Sequence, residues 1–160
     1  SGTGKTTLLR KVLPILCEAG LAVGMVKHAH HEFEIDYPGK DSFELRKAGA
    51  AQMLITSKQR WALMVDHVYE LEPPLNDVLL RLDQSSLDLI IVEGFKHERF
   101  SKIEVHRGGR DTPRVLPHDD GIVAFASDAK PHELPPMQVP ILDLNKPSQI
   151  ADFVMEFARH

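Results

Sequence analysis

The stretch Ser1-Gly2-Thr3-Gly4-Lys5-Thr6-Thr7 constrains the fold more than any other part of the chain. It carries the later half of the phosphate-binding pattern G-x-x-x-x-G-K-[ST]. Gly2 and Gly4 let the backbone curl so that successive N–H groups point at phosphate oxygens, and Lys5 adds a mobile positive charge. Thr6 offers a hydroxyl to the magnesium ion that accompanies a nucleoside triphosphate. The loop runs directly into Leu8-Leu9-Arg10-Lys11-Val12-Leu13, a periodic apolar helix whose positive end aims at the same phosphates. Such a loop hangs from a buried strand, so that strand and the pattern's opening glycine are expected upstream of Ser1.

The 160 residues suit a single domain (1–160) with a sizeable core, and the composition is ordinary for a globular protein, with 42% hydrophobic and 26% charged residues. A net charge of −4 argues against general nucleic-acid binding, which favours a basic excess. No apolar run approaches a membrane span, and the visible start lacks a signal-peptide pattern. The single cysteine, Cys17, has no intrachain partner and is expected in the core of the first helix. A cytoplasmic location follows as the expectation.

Taken in order, the first helix is expected over 6–19, with Leu9, Val12, Leu13, Leu16 and Ala19 facing the core and Pro14 bending it. Residues 21–27 (LAVGMVK) read as a buried parallel strand. At its carboxyl end, where open α/β sheets place their chemistry, stands Lys27-His28-Ala29-His30-His31 and then a polar loop to Asp41. Lys27, Lys40 and His28 are candidates to face phosphate, and the three histidines are alternative metal ligands or solvated loop residues. Asp36 and Asp41 are candidate magnesium- or water-orienting carboxylates, with turn-forming or capping as the plainer alternative for both. A short helix starting at Ser42, after Asp41, and ending near Ala48-Gly49 precedes two strands, 52–57 and 60–65, joined around Lys58-Gln59 as a hairpin added to the parallel sheet. The hairpin region 51–66 needs cover, which makes it a candidate for self-association, and Trp61 is expected to pack. Residues 71–83 read as an amphipathic helix.

The second signal is Leu87-Asp88-Leu89-Ile90-Ile91-Val92, an apolar strand that ends in Glu93-Gly94-Phe95-Lys96-His97. Phosphate-loop proteins place a magnesium-holding carboxylate at the tip of such a strand, so Glu93 is the expected partner of Thr6. Asp88 stands at the wrong end of the strand for that role. Gly94 lets the backbone pass close to the phosphates. Further strands are expected at 102–107, with one wet face, at 122–126 and at 139–144, before a final helix over 147–159. Asn145-Lys146 is part of a guanine-reading N-K-x-D pattern, but its fourth position is Ser148; Ser127-Asp128 at another strand end is the alternative reader. The expected class is α/β: a P-loop NTPase with a mostly parallel sheet, flanking helices and an added hairpin.

The segments S-G-T-G-K-T-T, V-K-H-x-H-H, P-G-K-D-S-F-E-L-R-K-A-G-A, Q-R-W-A-L-M and L-I-I-V-E-G-F-K-H together resemble the molybdopterin-guanine dinucleotide biosynthesis protein B family, MobB. The resemblance implies a homodimeric GTP-binding protein with weak GTPase activity. It implies assistance to MobA, the guanylyltransferase that attaches GMP to molybdopterin, with molybdopterin itself a candidate ligand. Carried over by position, the nucleotide loop is Gly2, Thr3, Gly4, Lys5, Thr6 and Thr7, and the acidic strand-end residue is Glu93. GTP preference rests on this likeness alone.

As a hydrolase the protein would work by positioning and charge neutralisation, with Lys5 on the phosphates, Thr6 and Glu93 on magnesium, and Asp36 or Asp41 orienting water. Arg46 is a candidate for the arginine that such sites use. Two other classes compete. A small-molecule kinase would draw lid arginines from Arg107, Arg110 and Arg114. A metal-delivery GTPase would use His28, His30 and His31.

Overall fold

The computed structural model describes residues 4–29, 33–67, 72–109, 119–134 and 136–159. The chain divides into two compact units, Ser1–His28 with Val78–His160, and Ala29–Asp77.

The first unit is built on parallel strands. β1 (Val23–Lys27) pairs with β4 (Leu89–Glu93) so that Lys27 stands opposite Glu93 at their carboxyl ends. At the other end, Asp88 accepts a hydrogen bond from the Ala22 N–H at 2.8 Å, which fixes the start of this pair. A second parallel sheet runs in the order β5 (Lys102–His106), β6 (Ile122–Ser127), β7 (Ile141–Asp143). β6 is central, and Ala124, Phe125 and Ala126 are fully buried. Helices α1 (Lys5–Glu18) and α4 (Pro147–Phe157) pack against each other and close a core of Leu8, Val12, Leu16, Ala124, Ala126, Leu142, Leu144, Ile150 and Ala151.

The second unit holds α2 (Asp41–Lys47) and the antiparallel hairpin β2 (Gln52–Thr56) and β3 (Trp61–Val65). The hairpin is a sheet of its own and does not extend the parallel strands. A short helix, α3 (Leu75–Leu79), straddles the boundary between the units in sequence.

Several elements differ from the sequence expectation for identifiable reasons. The buried row of α1 is Leu8, Val12 and Leu16, an i, i+4 series, so Cys17 and Ala19 fall off the stripe and are exposed. Pro14 sits inside α1 on its exposed side and the helix continues past it. The 71–83 helix shrinks to α3, because i→i+3 bonds tighten it at Arg81 and Leu82. Asp83 then accepts from the Ser85 N–H and hydroxyl, at 3.2 and 2.6 Å, capping a separate 3-10 turn over Gln84–Ser86. The expected wet face of β5 is shielded: Lys102 reaches Asp119 at 2.6 Å and lies over the Phe100 ring. Trp61 is 65% exposed. Residues 52, 54 and 56 pair with 65, 63 and 61 on the open face, while Met64 on the opposite face is buried. Among the described residues no helix is long and apolar enough to cross a membrane.

Candidate functional site

Gly4 occupies the N-cap of α1 with φ +86°, a conformation that costs glycine little and other residues more. Its carbonyl accepts the first helical hydrogen bond, from the Leu8 N–H at 2.9 Å. No side chain caps this end and the first turn contains no acidic residue. Lys5, Thr6 and Thr7 make up the first turn, so a cation and two hydroxyls stand at the positive pole of the helix.

Glu93, the last residue of β4, meets that turn. The Thr6 hydroxyl donates to Glu93 Oε1 at 3.1 Å, with Oε2 at 3.4 Å, and Lys27 Nζ lies 3.7 Å from Oε2. The Glu93 side chain is 14% exposed and that of Lys27 60%, so the carboxylate is sheltered while the cation reaches out from the β1 end. A hydroxyl and a carboxylate converging beside a phosphate-loop helix are the hard oxygen donors that magnesium takes, and the pair fits that ion. Among the described residues no group of three or more His, Cys, Asp or Glu is arranged to hold a metal.

The turn after Glu93 is built to sit tightly on the end of β1. Gly94 has φ +109°, and a Cβ there would stand 2.5 Å from the His28 Cβ. The His28 N–H donates to the Glu93 carbonyl at 2.8 Å, and the His28 ring packs on Phe95 with centroids 5.0 Å apart. Phe95 is the one non-glycine residue with positive φ (51°) among those described, and its burial compensates a strain of about 1–2 kcal/mol. His28 is thus a packing element of the turn that presents Glu93.

Arg107 and Asp128, expected separately as a lid arginine and a base reader, form a pair that the sequence does not announce. Arg107 follows β5 directly, and its guanidinium lies on Gly4. Asp128 follows β6, accepts from the Gly108 N–H at 2.7 Å, and stands 3.5 Å from Arg107 Nη1. Asp128 is therefore engaged with the β5 end, and Ser127 accepts from the Ala129 N–H at 3.1 Å. The only available signal was that both residues stand at carboxyl ends of strands; that those ends are neighbours depends on strand order. In the Asn145-Lys146 stretch, Asp143 accepts from the Asn145 N–H at 2.9 Å and lies 3.7 Å from Lys146 Nζ, so this segment forms the lead-in to α4.

The remaining candidates lie in the second unit. Asp36 is buried and receives Arg46 Nη2 at 2.6 Å, while Glu34 and Asp66 bind the same guanidinium at 2.6 and 3.0 Å. The Arg46 hydrogen bond holds the Asp36 carboxyl below the usual carboxylate range against the opposing effect of burial. The three carboxylates in turn push the Arg46 pKa up. Arg46 is 7% exposed, so this guanidinium is committed inside its own unit. Asp41 is exposed in the first turn of α2, where a negative charge suits the helix dipole, and Lys40 lies over the Tyr37 ring. Gly2, Thr3, His30, His31, Arg110 and Arg114 fall outside the described residues.

Comparison with known proteins gives one consistent result. The sequence model for molybdopterin guanine dinucleotide synthesis protein B, MobB, matches residues 1–128. The molybdopterin-guanine dinucleotide biosynthesis adapter protein of Escherichia coli is 49% identical over 98% of this chain and 88% of that relative. Its Haemophilus influenzae counterpart is 36% identical over 100% and 86%. Among solved structures, a MobB homologue from Bacillus stearothermophilus superposes with a TM-score of 0.73 at 25% identity, covering 99% of this chain and 92% of that one. A molybdopterin-guanine biosynthesis protein B superposes with 0.71 at 28% identity, covering 100% and 95%. The fold is the α/β P-loop class with parallel sheets flanked by helices, and the chain belongs to the MobB family.

Proposed function

We propose that this protein is an accessory protein of molybdopterin guanine dinucleotide formation that binds magnesium-GTP and hydrolyses it slowly. The observation that carries the reading is the meeting of Thr6 and Glu93 at 3.1 Å, beside the glycine-capped and acid-free N-terminus of α1. The helix N–H groups and Lys5 would hold the phosphate chain; Thr6 and Glu93 would hold the magnesium ion. Magnesium, when bound, neutralises charge on the phosphate oxygens. Lys27 balances Glu93 when that carboxylate is without a metal partner. Asp36 and Arg46 bind each other, so neither is assigned a step; Asp41 remains a water-orienting candidate from its place in the polar sequence that follows β1.

Guanine specificity, the partner MobA and homodimer formation enter this reading through the family, whose curated members are named as adapter proteins, and a cytoplasmic location through the single cysteine, Cys17. Slow turnover is what the family likeness implies, and Arg46, bound by Glu34, Asp36 and Asp66, is given no part in it. The test is calorimetric titration of the full chain with GTP and with ATP, each with magnesium, beside Lys5→Ala. Selective GTP binding that Lys5→Ala abolishes is expected. A protein that binds neither nucleotide, or a Lys5→Ala variant of unchanged affinity, would remove the reading.

A further inference from the structure

We infer that Arg107 is a second cation of the phosphate site, held by Asp128 so that one edge of its guanidinium lies against Gly4 at the start of α1; the inference rests on the nucleotide-binding reading above. A Cβ on Gly4 would stand 2.8 Å from both Nε and Nη2 of Arg107 and 3.2 Å from Cζ. The group therefore lies against the glycine Cα with its Nε–Nη2 edge over the helix end. The other amino group, Nη1, faces Asp128 Oδ2 at 3.5 Å, and Asp128 is itself fixed by the Gly108 N–H on Oδ1. The register of β5 with β6, which puts His106 opposite Ser127, brings the two following residues together.

The electrostatics point to an anionic ligand. A guanidinium, the Lys5 ammonium and the positive end of a 14-residue helix share one small region, and no acidic side chain stands in the first turn of that helix. Two carboxylates of this region, Asp128 and Glu93, each already have a cation, at 3.5 and 3.7 Å. A chain of phosphates brings the several negative charges that such a region accommodates. The planar Nε–Nη2 edge matches two phosphate oxygens at once, which the lysine ammonium does not. Gly4 is then required twice: for its φ of +86° and for the space the guanidinium fills. Arg107 comes from β5 rather than from the loop, so it grips the phosphates from the second sheet of the unit.

The test compares wild type, Lys5→Ala, Arg107→Ala, Arg107→Gln and Asp128→Asn as full chains. Calorimetry uses magnesium-GTP and inorganic tripolyphosphate, a probe without a base, and thermal melting checks folding. Arg107→Ala is expected to weaken both ligands about tenfold or more while melting near the wild-type temperature. Asp128→Asn, which keeps an acceptor for Gly108 but loses the charge that orients Arg107, should fall between. Arg107→Gln serves if the alanine variant unfolds, and should lose a similar factor. Wild-type affinity for both probes in a folded Arg107 variant, with Lys5→Ala inactive, would overturn the inference and leave the nucleotide reading standing. A wild-type protein that binds neither probe nor ATP would remove both.

Discussion

Glu93 stands between a hydroxyl at 3.1 Å and an ammonium at 3.7 Å, and its charge rather than its shape is what a magnesium ion would use. Glu93→Gln keeps the volume and an oxygen that accepts from Thr6, but removes the negative charge. Magnesium-dependent GTP hydrolysis should fall about a hundredfold. Nucleotide affinity should change about threefold or less, because the helix end and Lys5 remain. Single-turnover hydrolysis and equilibrium binding, measured side by side, decide this; equal losses in both would make Glu93 a structural residue. The position of Glu93 was legible because an apolar run that ends in one acid has few meanings. The Arg107–Asp128 pair was not, since 20 residues separate Gly108 from Asp128 and only the β5–β6 pairing joins them.

At the scale of elements, sequence pattern located nearly every strand, and misjudged where tertiary contact or local hydrogen bonding intervened. The hairpin was legible from two β-rich runs around Lys58-Gln59, but not which face stays open, because that depends on α2 packing on β2. Asp36 read as a loop carboxylate because its partner, Arg46, lies ten residues on in a helix. That network ties the 33–41 segment to α2 and, through Asp66, to the end of the hairpin. Its pH dependence has a definite sign. Arg46 lowers the folded-state pKa of Asp36 below the unfolded value of about 3.9, so the stabilisation is complete above that pH and is lost as pH falls through the lowered value. Asp36→Asn removes this dependence. The melting-temperature gap between wild type and Asp36→Asn should therefore be wide at about pH 6 and narrow as pH is lowered through about 4 toward 3. A gap that stays constant across that range would show that the ion pair does not contribute to folding.

At the scale of the whole molecule, the open face of the hairpin calls for an explanation. Leu54, Trp61, Leu63 and Val65 are 58%, 65%, 43% and 40% exposed, and the pairings Leu54 with Leu63 and Thr56 with Trp61 set them side by side. A contiguous apolar patch on a two-stranded sheet is a liability unless something covers it, since both its side chains and its strand edges invite pairing. A second copy of the chain is the occupant that the family likeness implies. A self-complementary contact about a two-fold axis would place Trp61 of each chain near the centre, where aromatic anchors carry most of the binding energy. Trp61→Lys puts a charge into that centre and should convert a dimer into a monomer at about 10 μM by sedimentation velocity, a loss of about 2 kcal/mol or more. Trp61 has no part in the proposed phosphate site, so GTP affinity per chain should stay within about twofold of wild type. A wild-type protein that sediments as a monomer would leave the face to a different partner. A Trp61→Lys protein that remains dimeric would move the contact away from the hairpin.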